Sequence, residues 1–309
     1  MSEDRAVRTP LGGGVSSDVA IVRDESGREI VVKQALPRFK VAADWRVDPA
    51  RSSLEVQALR EARALLGAHV APEVLWEDAD HHCFAMQRID SRLRNWRDEL
   101  DARVIDLKTA ARVGELLAML HVRSAAKPEL AARFGDLDLF KQQRIEPFFN
   151  RIVQRNPGLR AGVGEAIAIL CAPGRSLVHG DYSPKNMLVH GTEVVLLDWE
   201  VAHWGEPRFD AAFCLMHLIL DAHHRPPADE YVDAALTFIE AYARAGGPAP
   251  MDAVLVRITG CLLLARLEGD SPIHYLHELD ASVVKRQAVR LIEHPPQDAR
   301  RMLDQLFPR

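Results

Sequence analysis

Apolar residues come in short runs near the beginning of the chain and at helical spacing over most of the rest. Leu11-Gly-Gly-Gly-Val-Ser-Ser-Asp-Val-Ala-Ile-Val opens on glycines and continues into a strand. Asp24 to Gly27 turns the chain back into Ile30-Val-Val-Lys33, so a glycine-led β-hairpin ends in a lysine. A helix is predicted from about Pro49 to Leu66, followed by two more strands at Ala71 to Trp76 and Cys83 to Gln87, with Met86 to Ile89 as a hinge. A second strand-rich stretch is formed by Ser176 to Val178, Met187 to Val189 and Val194 to Leu197, the last two joined by the turn His190-Gly-Thr-Glu. Helical periodicity covers roughly 102 to 120, 139 to 154, 160 to 171, 211 to 223, 228 to 244, 251 to 267, 272 to 293 and 297 to 307. Pro226-Pro227, Gly246-Gly-Pro and Pro295-Pro296 punctuate these segments, and Ser271-Pro272 reads as a helix start.

The polar residues gather where the strands end. Asp181, Asn186 and Asp198 would be held together by the hairpin, giving two carboxylates and one amide on a rigid frame. Oxygen ligands of this kind suit magnesium, which keeps substrate phosphates and water in its shell. Asp181 and Asn186 are five apart, the spacing of the kinase loop H-R-D-x-x-x-x-N, where the aspartate takes the acceptor proton and the asparagine holds metal. A plain turn, in which both side chains bond their own backbone, is the competing reading.

Gly12, Gly13, Gly14, Val15 and Ser16 form a loop whose N–H groups can approach phosphate closely, with Lys33 reaching the same phosphates. Any tight turn uses glycine, and a lysine at a strand end is commonly a solvated charge. What separates the readings is order: glycine loop, Lys33, a helix with an acid, the Asp-Asn loop, then Asp198. Leu54, Ala58, Leu59, Ala62, Leu65 and Leu66 cover an arc of about 140° on the helix at roughly 100° per residue. Glu55 lies inside that arc, whereas Glu61 lies outside it beside Arg60 and Arg63. A carboxylate on an apolar face needs a cation, so Glu55 is expected to pair with Lys33. Ser52-Ser-Leu-Glu55 also fits a capping box, which would turn Glu55 back onto the helix start. Strand alternation would put Glu200 on the side of Asp198, facing metal or acceptor, and Trp199 into the interior; an exposed acid beyond the strand end is the alternative.

Gly180 stands in the loop His179-Gly-Asp-Tyr-Ser-Pro-Lys-Asn where protein kinases have arginine, and Gly205-Glu-Pro-Arg-Phe-Asp210 follows shortly after Asp198. These segments resemble the aminoglycoside phosphotransferase family of small-molecule kinases, which includes choline and methylthioribose kinases. Weaker similarity extends over Gly13 to Ser17, Val32 to Pro37 and Ala42 to Trp45. The resemblance implies an α+β, bilobal protein-kinase-like fold with a small β-rich nucleotide-binding lobe at 1–89 and a helical lobe at 90–309. It implies transfer of the γ-phosphoryl group of ATP or GTP to a hydroxyl of an aminoglycoside-, choline- or sugar-like molecule. Asp181 would be the catalytic base, Asn186 and Asp198 would hold Mg2+, His179 would brace the loop and Asp210 would support it from behind. Arg266, Glu268, Asp270 and His274 are candidates for the acceptor site. His121 matches the Leu-His that ends a helix in the family and is assigned no catalysis. A protein kinase is disfavoured, because only eleven residues separate Asp198 from Asp210 and neither D-F-G nor A-P-E is present. A nucleotide-binding pseudokinase or sensor remains the alternative.

Composition narrows the remaining classes. The formal charge of −5 and the lack of basic runs argue against a nucleic-acid footprint, and 48% hydrophobic residues in a chain of 309 can fill two cores. Neither a signal segment nor a bilayer-spanning stretch is seen, so a cytoplasmic protein without membrane partners is expected. Cys83, Cys171, Cys214 and Cys261 lack metal-ligand spacing and read as free thiols, and the 13 histidines form no zinc pattern.

Overall fold

The computed structural model describes residues 7–12, 16–40, 45–273 and 275–308. Strands β1 (Val7–Leu11), β2 (Ser17–Arg23) and β3 (Glu29–Ala35) precede helix α1 (Arg51–Leu66), and β4 (Val74–Asp78) and β5 (Cys83–Gln87) follow it. They form one antiparallel sheet in the order β1-β2-β3-β5-β4. Strand β1 lies ahead of the glycines and was not anticipated; all five of its residues are exposed, so it carries no burial alternation to betray it.

In β3 the pleat decides the chemistry. Val31, Lys33 and Ala35 are buried and Gln34 is exposed, so the alternation that buries two apolar residues also buries an ammonium group. Helix α1 packs Val56, Leu59, Ala62, Leu65 and Leu66 into the core with Glu55 on the same side. Its first turn lacks a side-chain cap on Ala50, and Glu55 bonds Lys33, so the capping-box alternative is not formed.

A short pair, β6 (Arg94–Asn95), leads into α2 (Trp96–Asp101) and α3 (Leu107–Ala125). Helix α3 begins five residues later than expected, where the Asp106 carboxylate accepts from Lys108 N–H. Short helices α4 (Ala131–Phe134) and α5 (Asp138–Phe140) are followed by a π-helical stretch, Lys141–Asn150, and by α6 (Arg151–Arg155) and α7 (Arg160–Leu170). Pro147 sits inside the π-helical stretch; having no N–H, it cannot close the usual α-helical bond there. Strands β7 (Ser176–Val178), β8 (Met187–His190), β9 (Glu193–Leu196) and β10 (His203–Gly205) form two small sheets, β10-β7 and β6-β8-β9.

The remaining helices are α8 (Arg208–His224), α9 (Asp229–Arg244), α10 (Ala253–Glu268), α11 (Ala281–Glu293) and α12 (Ala299–Leu306). Helix α8 is buried on every side from Phe209 to Ala222 and forms the axis of the helical part. The expected start at Ser271-Pro272 is not a helix start. Residues there are held in a bend by Arg266, which donates to the Ser271 carbonyl, and α11 begins only where Asp280 caps Ser282 and Val283. Among the described residues no helix is long and apolar enough to cross a membrane.

Helices α3 and α9 touch through Gly114, where a Cβ would strike the Phe238 carbonyl oxygen and lie 3.1 Å from Tyr242 N. Gly114→Ala should therefore force the two helices apart and cost about 1–3 kcal/mol, read as a lower midpoint in urea at unchanged slope.

Candidate active site

The loop after β7 is fixed by Asp210, in the first turn of α8. Its fully buried carboxylate accepts from His179 N–H at 2.7 Å and from Gly180 N–H at 2.9 Å, and His121 Nε2 lies 3.4 Å away. Tyr242 hydroxyl sits 2.9 Å from His121 Nδ1 and accepts from Ala249 N–H, which leaves the His121 Nε2 proton for Asp210. Gly180 adopts φ 77°, and a Cβ there would collide with the Val201 carbonyl, so glycine is required on both counts. His179 donates from Nε2 to the Leu197 carbonyl at 3.0 Å and accepts the Asp181 N–H at Nδ1, the pattern of a neutral imidazole. Burial lowers its pKa despite the neighbouring Asp210, Asp181 and Asp198.

Asp181 is 6% exposed and faces two cations, Lys185 Nζ at 3.0 Å and Arg144 Nη2 at 3.5 Å. Burial works against the charge, but Lys185 and Arg144 outweigh it and hold the carboxyl well below the usual carboxylate range. Asn186 donates from Nδ2 to the Asp181 carbonyl at 2.9 Å, and its own carbonyl accepts from Leu197 N–H at 2.8 Å. The asparagine thus does bond the loop backbone, as the plain-turn reading supposed, and that bond turns its amide oxygen the other way.

Across from Asp181, Lys33 Nζ lies 2.7 Å from Glu55 Oε1 and 2.6 Å from Asp198 Oδ1. Burial disfavours the ammonium, yet Asp198, Glu55 and Glu200 together raise the Lys33 pKa above its ordinary value. Burial pushes the Glu55 carboxyl up to about 7, whereas Lys33 and Lys185 hold Asp198 below its ordinary range against the same burial. Oxygens of Glu55, Asp198 and Glu200 lie within 4.8 Å of one another, a hard-cation donor set with Asp198 the most accessible of the three.

Glu200 is on the side of Asp198, but not by strand alternation. Strand β9 ends at Leu196, and Asp198 itself has φ 62°, a left-handed backbone that turns the chain. Glu200 is engaged by Arg51, whose Nε lies 3.3 Å from Oε2, so it is the arginine at the start of α1 that Glu200 contacts directly. Trp199 is fully buried, its ring 4.4 Å from that of His179.

The glycine loop is described only at its ends. Gly12 is exposed and Ser16 buried, while Gly13, Gly14 and Val15 lie outside the described residues. Ser16 is held by its carbonyl, which accepts from Leu36 N–H at 3.0 Å and from Arg51. Of the four acceptor candidates, Arg266 lies within electrostatic reach of Asp181. Glu268 and Asp270 do not join it: Glu268 is taken by Asn156 and Lys285, and Asp270 by both arms of Arg151 at 2.7 and 2.8 Å. Ion pairs that tie α10 to α6 and α11 account for both acids. His274 lies outside the described residues.

Arg51, Arg144 and Lys185 were not anticipated. Lys185 was legible in principle, one residue before Asn186 in the motif; Arg144 depends on the π-helical register, for which only Pro147 gives a signal.

A buried lysine bridging a helix glutamate and a hairpin aspartate, opposite an Asp-Asn loop anchored by a buried aspartate, is the arrangement of the bilobal protein-kinase-like fold. The chain belongs to the phosphotransferase enzyme family, whose family model matches residues 7–252. It is 24% identical over 249 residues to a methylthioribose kinase of Escherichia coli O45:K1 (strain S88 / ExPEC), covering 71% of this chain and 58% of that protein. It is 25% identical over 330 residues to a methylthioribose kinase of Geobacillus kaustophilus (strain HTA426), covering 88% and 81%. The chain thus spans less than two thirds of the first of these relatives. Among solved structures it is similar to a macrolide 2'-phosphotransferase from Brachybacterium faecium, with TM-score 0.54, 20% identity and coverage of 96% and 95%. It is also similar to an amicoumacin kinase in complex with AMP-PNP, Ca2+ and Ami, with TM-score 0.55, 14% identity and coverage of 94% and 89%. At these identities the likeness to both structures is one of fold.

Two outcomes are expected. Asp210→Ala should strip two buried N–H groups of their acceptor and destabilise the protein on the order of 3 kcal/mol, seen as a large drop in Tm. Glu55 has its folded pKa raised to about 7 from an ordinary 4.5, so its ionised form, which holds Lys33, is lost as pH falls through about 7. In kinetic terms kcat/KM for the nucleotide should fall on the acid side of about pH 7, and Glu55→Gln should be slower but lack that limb. An unchanged limb in the variant would assign it to another group.

Proposed function

We propose that this protein transfers the γ-phosphoryl group of ATP or GTP to a hydroxyl of a small molecule, with Asp181 on the acceptor side and Lys33 on the nucleotide side of one cleft. The observation that carries the reading is the convergence of Lys33, Glu55 and Asp198 opposite an Asp181 that is buried yet held ionised.

Phosphoryl transfer passes through a loose transition state, so positioning and charge do most of the catalysis. The ionised Asp181 accepts a hydrogen bond from the acceptor hydroxyl, aligns its oxygen for in-line attack, and takes the proton as the new bond forms. A carboxylate with so low an affinity for protons favours orientation over early proton removal. Lys33, fixed by Glu55, aligns the nucleotide phosphates, and the glycine loop bounded by Gly12 and Ser16 is the segment proposed to cover them. Asp198 and the Asn186 amide oxygen would hold Mg2+, with Glu200 next to them; the cluster of carboxylate oxygens is of the right chemistry for it. The ion, when bound, neutralises charge on the phosphates. Arg51 anchors Ser16 and Glu200 together and so couples the glycine loop to the Asp198 segment.

Asp181→Asn should lower turnover by roughly 10²-fold or more while nucleotide binding in the presence of magnesium stays nearly unchanged. Asp198→Ala should instead weaken only the magnesium-dependent part of nucleotide binding, which calorimetry with and without the ion separates. The assay is ADP release from ATP and magnesium across a metabolite and antibiotic panel, and turnover retained by Asp181→Asn would remove that residue from its role.

A further inference from the structure

The acceptor side of Asp181 carries an excess of positive charge. Arg144 lies 5.7 Å from the Phe148 ring and 5.6 Å from the Phe213 ring, and Arg266 lies 5.6 and 5.9 Å from the same two rings. Two guanidinium groups thus flank one stacked aromatic pair, beside Lys185 and the catalytic loop. Arg144 donates to the Gly180 carbonyl and shares Asp181 with Lys185. Among the described residues the hydrogen-bond partners of Arg266 are neutral: Ser271, through its carbonyl at 2.9 Å and hydroxyl at 3.1 Å, and His217 Nε2 at 3.5 Å. Its Nε is buried without a hydrogen-bond partner, and no carboxylate among the described residues forms an ion pair with it.

The acids nearby are already committed. Asp270 is clamped by Arg151, Glu268 by Lys285, and Asp221 by Arg97 with a bond from the Tyr275 hydroxyl. Burial, with Arg144 close by, lowers the pKa of Arg266 although the charge of Asp181 works the other way, and burial with Arg266 and Arg97 keeps His217 neutral. A half-buried guanidinium with a buried, unpartnered Nε and neutral hydrogen-bond partners is short of an anion.

Building on the reading of Asp181 as the acceptor-side base, we infer that the acceptor is a hydroxyl compound bearing a carboxylate or phosphate group, received by Arg266 and Arg144, whose guanidinium groups are backed by the buried rings of Phe148 and Phe213. The planar fork of an arginine matches both anions bidentately. An aminoglycoside or a quaternary amine would instead bring positive charge against Lys185, Arg144 and Arg266, where Asp270, Glu268 and Asp221 are already paired. Arg266 also lies beyond the segment 7–252 matched by the family model.

The test measures ADP release above basal ATP hydrolysis with matched acceptors: hydroxycarboxylates and sugar acids, sugar phosphates, the neutral sugars, and amino sugars with choline. Stimulation should be confined to the two anionic sets, and whichever responds names the group. For the best acceptor Arg266→Gln should raise KM by roughly 10- to 100-fold with kcat and the nucleotide KM little changed, and Arg266→Lys should recover part of the loss. Stimulation only by neutral or amine acceptors, or by no anionic member, overturns the inference while basal hydrolysis and magnesium-nucleotide binding leave the kinase reading standing. A variant that raises the nucleotide KM instead of the acceptor KM also overturns it, since Arg266 would then serve the transferred phosphate. Absence of any nucleotide binding by the wild type overturns both.

Discussion

Lys33 is buried on the face of the sheet that meets α1, and its ammonium group is satisfied by carboxylates from α1 and from the segment after β9. Those partners come from 22 and 165 residues away in the chain, so one group ties the sheet, the helix and the segment after β9 together. Each alone would be a charge stranded in a low dielectric. Together they fix the direction of α1 and the depth of the hairpin. The carboxyl left with the weaker share, Glu55, is the one whose proton affinity rises.

The hairpin is held from behind by a different kind of interaction. Asp210 gathers two backbone N–H groups and a histidine in a site that excludes water, so the loop is shaped by acceptors facing donors rather than by apolar contact. Two departures from ordinary backbone geometry flank it, Gly180 at φ 77° and Asp198 at φ 62°. Glycine tolerates the first freely; the second is a strained position for an aspartate, kept because Lys33 holds its side chain where the turn delivers it.

How much of this was legible follows from how far each residue's role depends on its neighbours in sequence. The strands β2, β3, β5, β7, β8 and β9 and most helices are local patterns and could be read directly, as could the inward direction of Glu55 from the arc of apolar residues on α1. Strand β1 has no buried face, and the bend at Ser271 is imposed by a side chain from α10, so neither was visible. Asp181, Asn186, Asp198 and Asp210 sit in spaced motifs. Arg51 is one of three arginines on α1 and Arg144 a lone arginine on its stretch, and only the fold shows that both are buried. Charges between helices look the same in sequence whether they meet a ligand or, as Glu268 and Asp270 do here, Lys285 and Arg151.

The π-helical stretch Lys141–Asn150 sets where Arg144 points, and it does so without contributing a bond to the nucleotide side. A wide turn of this kind differs from an α-helical one by a residue inserted or removed, which rotates every side chain before it relative to those after it. A single-residue deletion near Pro147 would swing Arg144 away from Asp181 while β7, β8 and β9 kept their pairing. The register of this one helix therefore reaches the loop after β7 twice, through the charge beside Asp181 and through the Gly180 carbonyl that Arg144 holds.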